Sequence, residues 1–405
     1  MTVLTPEQHG PAQTGAVAHS DGGWDSNEPG YVPVQTRDAR FTSFDHDDFP
    51  EVKGIEGDWK LTPVARVKPL LDDALDGSPY AFLVNDAAGA SVDWIDRTDA
   101  RIGSAGRPED RGSANAWSSF EKALSITLTS EEHVNVILSR SSLGSAPRAA
   151  HTVITARPNS RGTVILRSSG DAQLAENVEI IVEEGAALTV VSVQEWSDSA
   201  TQLASHFAQV GRSASLKHIV VTLGGSVVRL NPSVHLSGEG SDGDLFGLYF
   251  ADAGQHFEQR VYLHHQAENT KGRVNYKGAL QGEGAHTVWV GDVLIGPKAA
   301  GTDSYEQNRN LVLSEGTRAD SIPNLEIETG DILGAGHASA TGRFDDEQLF
   351  YLQARGISEA EARRLVVIGF LSEIVQKIGN AELEGHLHAA IEAELTASST
   401  PRSAA

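Results

Sequence analysis

Between residues 123 and 325 short apolar runs alternate with segments rich in Gly, Asn, Asp and Ser. The runs cover 123–128, 134–138, 151–155, 163–167, 178–182, 187–193 and 215–223, then 245–250, 256–263, 272–280 and 286–295. Period-two alternation bounded by turn residues predicts strands, and no long amphipathic helix interrupts the series. A sandwich or barrel is the default architecture for such a pattern. A parallel β-helix accounts for three further features: a region of about 200 residues, evenly spread short strands, and Asn and Gly recurring where tight corners fall. The region has no short exact repeat, so the pattern alone leaves these architectures open.

The flanks read differently. Residues 1–35 are rich in Gly, Pro, Ser and His without periodicity, which predicts a flexible arm. Residues 36–122 form a mixed, partly helical region with an apolar group at 79–84, an exposed charged segment from Asp99 to Arg111 and a short helix over 116–123. Phe41, Phe44, Phe49 and Trp59 punctuate an acidic stretch that either packs on another domain or docks a partner; packing is the commoner use of aromatic side chains. Residues 326–395 read as helical. Asp345 and the Gln348 three residues on, then Ser358 and Glu361, mark two helix starts. The first helix is predicted over 345–355, stopping near Gly356. The second runs from 359 to about 378 with Val367, Leu371, Ile374 and Ile378 on one buried stripe. A third covers 381–395, and 396–405 is predicted to be a disordered tail.

Composition then narrows the function. The 405 residues carry 32 Lys and Arg against 55 Asp and Glu, a formal charge of −23, which argues against a general nucleic-acid backbone binder. Cysteine is absent, so the chain has no disulfide, no thiolate metal ligand and no cysteine nucleophile of its own. No segment approaches the roughly 20 apolar residues of a membrane span, and the first residues lack a secretory pattern. The expectation is a cytoplasmic protein without integral membrane association.

Candidate chemistry is sparse. Fifteen histidines include no His-Glu-x-x-His arrangement. The adjacent His264 and His265 would point to opposite faces of a strand, which favours ordinary hydrogen bonding over a shared ion. His386 and His388 are a second pair. His337 stands apart, among small residues from Gly334 to Gly342 that permit close approach by another chain or a cofactor. Neutral imidazole ligates iron, and a plain polar loop histidine is the alternative reading. Glu326 and Glu328 would share one strand face, where solvent exposure is their commonest role. No phosphate loop or dinucleotide fingerprint is present, and Ser314 has no nucleophile-elbow context. No catalytic residue is assigned, and the chain is read as a non-enzyme.

The stretch from Gln307 to Ser314, the run Pro323-Asn324-Leu325-Glu326-Ile327, and above all residues 336–374 resemble the SufB/SufD family of iron–sulfur cluster assembly proteins, the SufD branch most closely. The resemblance covers about 40–395. It implies a mainly β fold, a right-handed parallel β-helix over 123–325 flanked by N-terminal and C-terminal helical regions. It implies pairing with a SufB-like scaffold through the β-helices and docking of a SufC-like ABC ATPase on the C-terminal helical domain, 326–395. The assembly would be SufB–SufC₂–SufD. ATP would be bound by SufC, and a transient iron–sulfur cluster would be shared with SufB. The isolated chain could homodimerise. By resemblance, His337 is the cluster or iron ligand. Ser314 stands where SufB has a cysteine, a replacement that favours SufD and requires sulfur ligands from the partner. SufC docking falls to 344–370, with Asp345, Asp346, Glu347, Phe350, Tyr351 and Arg355 as its residues. The competing readings are a β-helix ligand- or protein-binding module and an enzyme using carboxylates in a β-helix groove; neither explains the C-terminal resemblance.

Overall fold

The computed structural model describes residues 40–85, 87–343 and 346–397. The predicted arm over 1–35 and the tail from 398 onward lie outside the described residues, as do Phe344 and Asp345. The chain divides into two units, 1–41 and 42–405, and the second contains every helix and strand described below.

Its strands run, in chain order, β1 (Leu83–Asn85), β2 (Ala90–Asp96), β3 (Lys122–Leu128), β4 (His133–Ser141), β5 (Gly144–Ala156), β6 (Arg161–Gly170), β7 (Ala172–Val182), β8 (Ala187–Trp196) and β9 (Thr201–Val210). The series continues with β10 (Ser215–Thr222), β11 (Val227–Leu236), β12 (Asp242–Ala251), β13 (His256–His265), β14 (Lys271–Leu280), β15 (His286–Ile295), β16 (Thr302–Val312), β17 (Arg318–Ile327) and β18 (Ile332–Arg343). Successive strands alternate between two sheets, ordered β1-β4-β6-β8-β10-β12-β14-β16-β18 and β17-β15-β13-β11-β9-β7-β5-β3-β2. Among the described strands, every pairing from β3 onward is parallel, and β1 on β4 and β2 on β3 are antiparallel. Each coil therefore gives one strand to each sheet, and the strands stack into the expected parallel β-helix.

The corners explain the Asn and Gly that recur between strands. Asn159, Gly185, Ser213, Gly240, Asn269 and Gly301 all hold φ between 52° and 70°. Each donates its N–H to a carbonyl of the next coil, from Asn159 to Glu184 through Gly301 to Asp331. This left-handed turn strongly favours Gly and tolerates Asn. One corner per coil forms a column, stepped by roughly 30 residues.

Every second residue faces the interior, where Leu188, Leu216, Leu236, Leu245, Leu263 and Val274 belong to one continuous core. Two aromatic rings there lie against glycines of the neighbouring coil. Tyr276 is paired with Gly247 and Tyr249 with Gly278, and a Cβ at either glycine would collide with the ring. The outer faces are covered too. Helices α1 (Val64–Asp72) and α2 (Arg111–Ser119), with Trp59 and Val52, pack on residues such as Val153, Ala175, Leu203 and Phe207 of one sheet. Of the three C-terminal helices, α3 (Asp346–Gln353), α4 (Glu359–Val375) and α5 (Ala381–Ala397), the last two bury Val367, Leu371, Ile374, Leu383 and Leu387 against Val191, Ile219, Phe246 and Leu248 of the other sheet.

Several local expectations change. Asp99–Arg111 is not a free surface segment: Ala105 is buried, and the N–H groups of Gly103 and Ala105 donate to the Glu179 carboxylate at 2.9 and 3.1 Å. The helix expected over 116–123 starts earlier, because Asp110 caps it by accepting from the Ser113 N–H at 2.8 Å. The acidic stretch takes the packing role. Phe49 and Trp59 are buried, and Phe44 lies 4.7 Å from the Trp117 ring. The boundary expected at 325 moves beyond Arg343, since Ile332–Arg343 is a strand in register with β16. Its small residues carry little intrinsic β preference, and pairing with β16 supplies the order. His337 is therefore a strand residue rather than a loop residue. Ser358 caps α4 as expected, accepting from the Glu361 N–H at 3.3 Å, and Gly356 takes φ +86° after α3.

Candidate functional site

Strand β16 presents Thr302, Ser304, Glu306, Asn308 and Asn310 on its buried face, an unbroken polar series where earlier coils are largely apolar. Four of the five are well partnered. Thr302 donates to the Ala299 carbonyl at 2.8 Å, and Ser304 shares a 3.0 Å bond with His265. Asn308 donates to the Tyr249 hydroxyl at 2.9 Å, which donates in turn to Asn310 at 2.7 Å. Asn310 donates to Ser321 and Thr341, and Ser321 donates back to Asn308. This network ties β12, β16, β17 and β18 together at the C-terminal end of the interior.

Glu306 is the exception. Its side chain is 0% exposed, yet neither carboxyl oxygen has a hydrogen-bonding partner among the described residues. Burying such a group unpaired costs about 1–3 kcal/mol, more when it is charged. Burial, with a smaller contribution from Asp292, pushes its carboxyl up to about 8. Space for it comes from Gly291 on β15, where a Cβ would collide with Glu306 Oε2 and the Trp289 ring. The group it meets is His337. The two residues are register partners on β16 and β18, and His337 Nδ1 stands 3.9 Å from Glu306 Oε1. The His337 side chain is 45% exposed, and β18 is the last strand of its sheet. A buried carboxyl thus lies behind a half-exposed imidazole at the open end of the β-helix.

Other candidate residues fall elsewhere. His264 and His265 occupy opposite faces of β13: His265 bonds Thr270 and Ser304 inside, while His264 meets Gln266. His386 on α5 shares bonds with Glu195 at 2.6 Å and Arg167 at 2.9 Å. His388, two residues on, belongs to a different helix face. Glu326 is partly covered near the end of β17, and Glu328 is exposed just beyond it. Ser314 lies past the far end of β16, its hydroxyl accepting from the Gly282 N–H at 2.8 Å. Eight residues separate it from Glu306, roughly 26 Å at the rise of an extended strand, so the structure does not bring Ser314 and His337 together. Glu306 itself escaped sequence reasoning. The available signal was an acid at an inward parity of β16, beside the Gln307-Asn308-Arg309 run.

On α3, Asp346 and Glu347 open the helix, and Leu349 is buried. Phe350 and Tyr351 are 72% and 55% exposed, and the Arg355 guanidinium stacks 4.6 Å from the Tyr351 ring. No set of three or more His, Asp or Glu able to hold a metal occurs among the described residues. No described helix is long and apolar enough to cross a membrane.

The profile described as "SUF system FeS cluster assembly, SufBD core domain" matches residues 138–370. An iron–sulfur cluster assembly SufBD family protein of Mycobacterium leprae is 47% identical over 366 residues, covering 88% of this chain and 93% of the relative. Its counterpart in Mycobacterium tuberculosis H37Rv is 46% identical, over 88% of this chain and 92% of the relative. A second SufBD family protein of that strain is 30% identical over 201 residues, half of this chain and 24% of its own length. A family profile spanning most of the β-helix and a near full-length relative agree with the observed fold: the chain belongs to the SufBD family of the SUF iron–sulfur cluster assembly system.

Proposed function

We propose that this chain is the SufD-type, non-ATPase scaffold subunit of a cytoplasmic SufB–SufC₂–SufD assembly. In that assembly a nascent iron–sulfur cluster forms at the SufB/SufD interface and passes to apoproteins. The observation that carries the reading is His337, half-exposed on the last strand of its sheet, in a chain without a single cysteine. An imidazole at an unpaired edge can contribute one ligand, and the thiolates a cluster needs must come from a partner. The presence of two SufBD family proteins in one mycobacterial strain fits a pair of unlike scaffold subunits.

The ATPase would sit on the C-terminal helices, with Asp345, Asp346, Glu347, Phe350, Tyr351 and Arg355 as its docking residues. ATP-driven closure of two SufC subunits would pull on both scaffolds and open the interface to iron and sulfide. Coupling of this kind requires the docking surfaces to be bound differently in the open and closed states.

The test is anaerobic co-expression with the SufB- and SufC-like proteins of the same genome, followed by size-exclusion light scattering. A mass corresponding to one SufB, two SufC and one copy of this chain is expected. His337→Ala should retain that mass while losing cluster loading, read by absorption and by iron and sulfide content. Elution of this chain alone, while its partners assemble normally, would overturn the reading.

A further inference from the structure

We propose that Glu306 and His337 form a two-residue half-site for ferrous iron at the C-terminal mouth of the β-helix interior, with Glu306 as the second protein ligand. The inference rests on the scaffold reading and specifies how its histidine holds the metal.

Three observations converge. First, register fixes the pair: Glu306 and His337 are partners on neighbouring parallel strands and share the inward face. Side chains of adjacent strands rise about 4.8 Å apart. Second, the gap suits an ion better than a hydrogen bond. At 3.9 Å, Oε1 and Nδ1 are too far apart for direct bonding. Two ligands each about 2.1 Å from one tetrahedral ion stand roughly 3.4 Å apart, which a small side-chain rotation reaches. Third, Glu306 is fully buried with both oxygens unpartnered, whereas the other inward polar side chains of β16 are satisfied. A structural carboxyl in this network would be expected to join it; this one is aimed at the imidazole, in space that Gly291 leaves open.

Mixed imidazole and carboxylate donors suit ferrous iron with open positions remaining. Those positions would face outward past His337, where a partner's thiolate or sulfide completes the shell. The described residues of this chain supply no third ligand, so a lone copy should hold the ion weakly and a paired copy firmly.

The experiment uses the full chain co-purified with its SufB- and SufC-like partners under anaerobic conditions. Co²⁺ alone is the probe, followed by its visible absorption, and Fe²⁺ binding is measured by equilibrium dialysis. The signal of interest is the part lost in His337→Ala. Glu306→Gln keeps size while removing the anionic donor. It should weaken that binding tenfold or more and leave the complex mass unchanged. The double variant should bind no more weakly than the weaker single, because both residues serve one ion. Glu306→Asp, which retracts the carboxylate by one methylene, is the second variant should Glu306→Gln fail to assemble, and weakened binding is again expected. Wild-type binding in the Glu306 variants with binding lost in His337→Ala overturns the half-site and leaves the His337 reading standing. Unaltered binding in all variants overturns both.

Discussion

At the residue scale the buried ionisable groups divide into those that hold the fold and those that strain it. Glu258 on β13 accepts from Thr62 Oγ1 at 2.6 Å, from Arg229 at 3.3 Å and from Arg260. Arg229 lies 3.8 Å from the Trp59 ring centroid and donates to the Asp58 carbonyl. One carboxylate thereby fastens the 58–62 segment to the outer face of the sheet. Although burial opposes ionisation, Arg229, the His256 hydrogen bond and Arg260 hold its carboxyl well below the ordinary 4.5. A depressed carboxylate stabilises fully above its unfolded pKa and loses that contribution as pH falls below about 4.5. Glu258→Gln leaves two buried guanidinium groups short of an anion, and we expect a loss of about 3 kcal/mol at pH 7, read from urea unfolding, that narrows on acidification. His206 and His218 act in the opposite sense. His206 Nδ1 and His218 Nε2 share a 2.8 Å bond inside the β-helix. Burial, with repulsion from Arg140, lowers His206 to about 3, and burial and His206 lower His218 well below 6.5. Both are neutral in the folded protein, while the unfolded chain takes up protons below about pH 6.5. Stability is lost as pH falls through that range, by about 1.4 kcal/mol per pH unit for each histidine. His206→Asn, whose amide can keep the bond to His218, should reduce the acid slope between pH 6.5 and 5 by about one proton; an unchanged slope would refute this assignment.

At the element scale, α3 is anchored on one side and bare on the other. Leu349 is buried while Phe350 and Tyr351 project into solvent with Arg355 over the tyrosine ring. Exposed aromatics beside an arginine are the composition of an interface anchor. The double variant Phe350→Ser, Tyr351→Ser should therefore leave the melting temperature within about 2 °C of wild type. It should abolish co-purification of the SufC-like ATPase; full retention of the ATPase would move docking away from α3. The C-terminal helices were legible because their caps and apolar stripes are local signals. Strands such as β13 and β15 were legible as apolar runs. Others were hidden for physical reasons. In β11, Pro232 falls inside a strand with neighbours on both sides, and the ladder to β13 skips Asn231 and Pro232. A proline there reads as a strand breaker. β18 is nearly all small residues, so only its pairing with β16 identifies it. Covered outer faces turn β12 into a continuous apolar run, which erases the alternation that would have told interior from exterior. For the same reason Glu306 could not be placed inside until the coils were in register, whereas His337 was marked by its small neighbours.

At the scale of the whole molecule, the two ends of the β-helix are built differently. At the N-terminal end the sheets finish in β1 and β2, short strands that run antiparallel to the stack and interrupt its parallel template. The C-terminal end has no such device among the described residues. β17 and β18 are full-length parallel strands, each the last of its sheet, with Ile322, Ile327 and Leu333 exposed along them. Long edges with apolar side chains invite another chain to continue the sheet, and charge, proline or a bulge usually blunts them. Here Arg318, Asp320, Pro323 and Glu326 blunt β17 and a bulge at Leu333 opens β18, whereas the stretch of β18 from Gly334 to Gly342 carries no proline and no Asp, Glu, Lys or Arg. The half-exposed His337 lies on one of these edges, so the surface that would recruit a second scaffold and the residue that would meet its thiolates coincide. We expect Ile327→Lys with Leu333→Lys, which puts a charge on each of two exposed apolar side chains, to uncouple this chain from the SufB-like partner. The measurement is the light-scattering mass of the co-expressed complex. That mass should fall to that of this chain with one SufC-like ATPase, while the melting temperature of the isolated chain stays within a few degrees, because both side chains are exposed. Leu83→Lys on β1, an equally exposed leucine at the opposite end, is the matched control and should leave the mass unchanged. If the control separates the subunits and the C-terminal pair does not, the partner joins at the N-terminal end, and His337 lies a full stack of coils from any thiolate it could share.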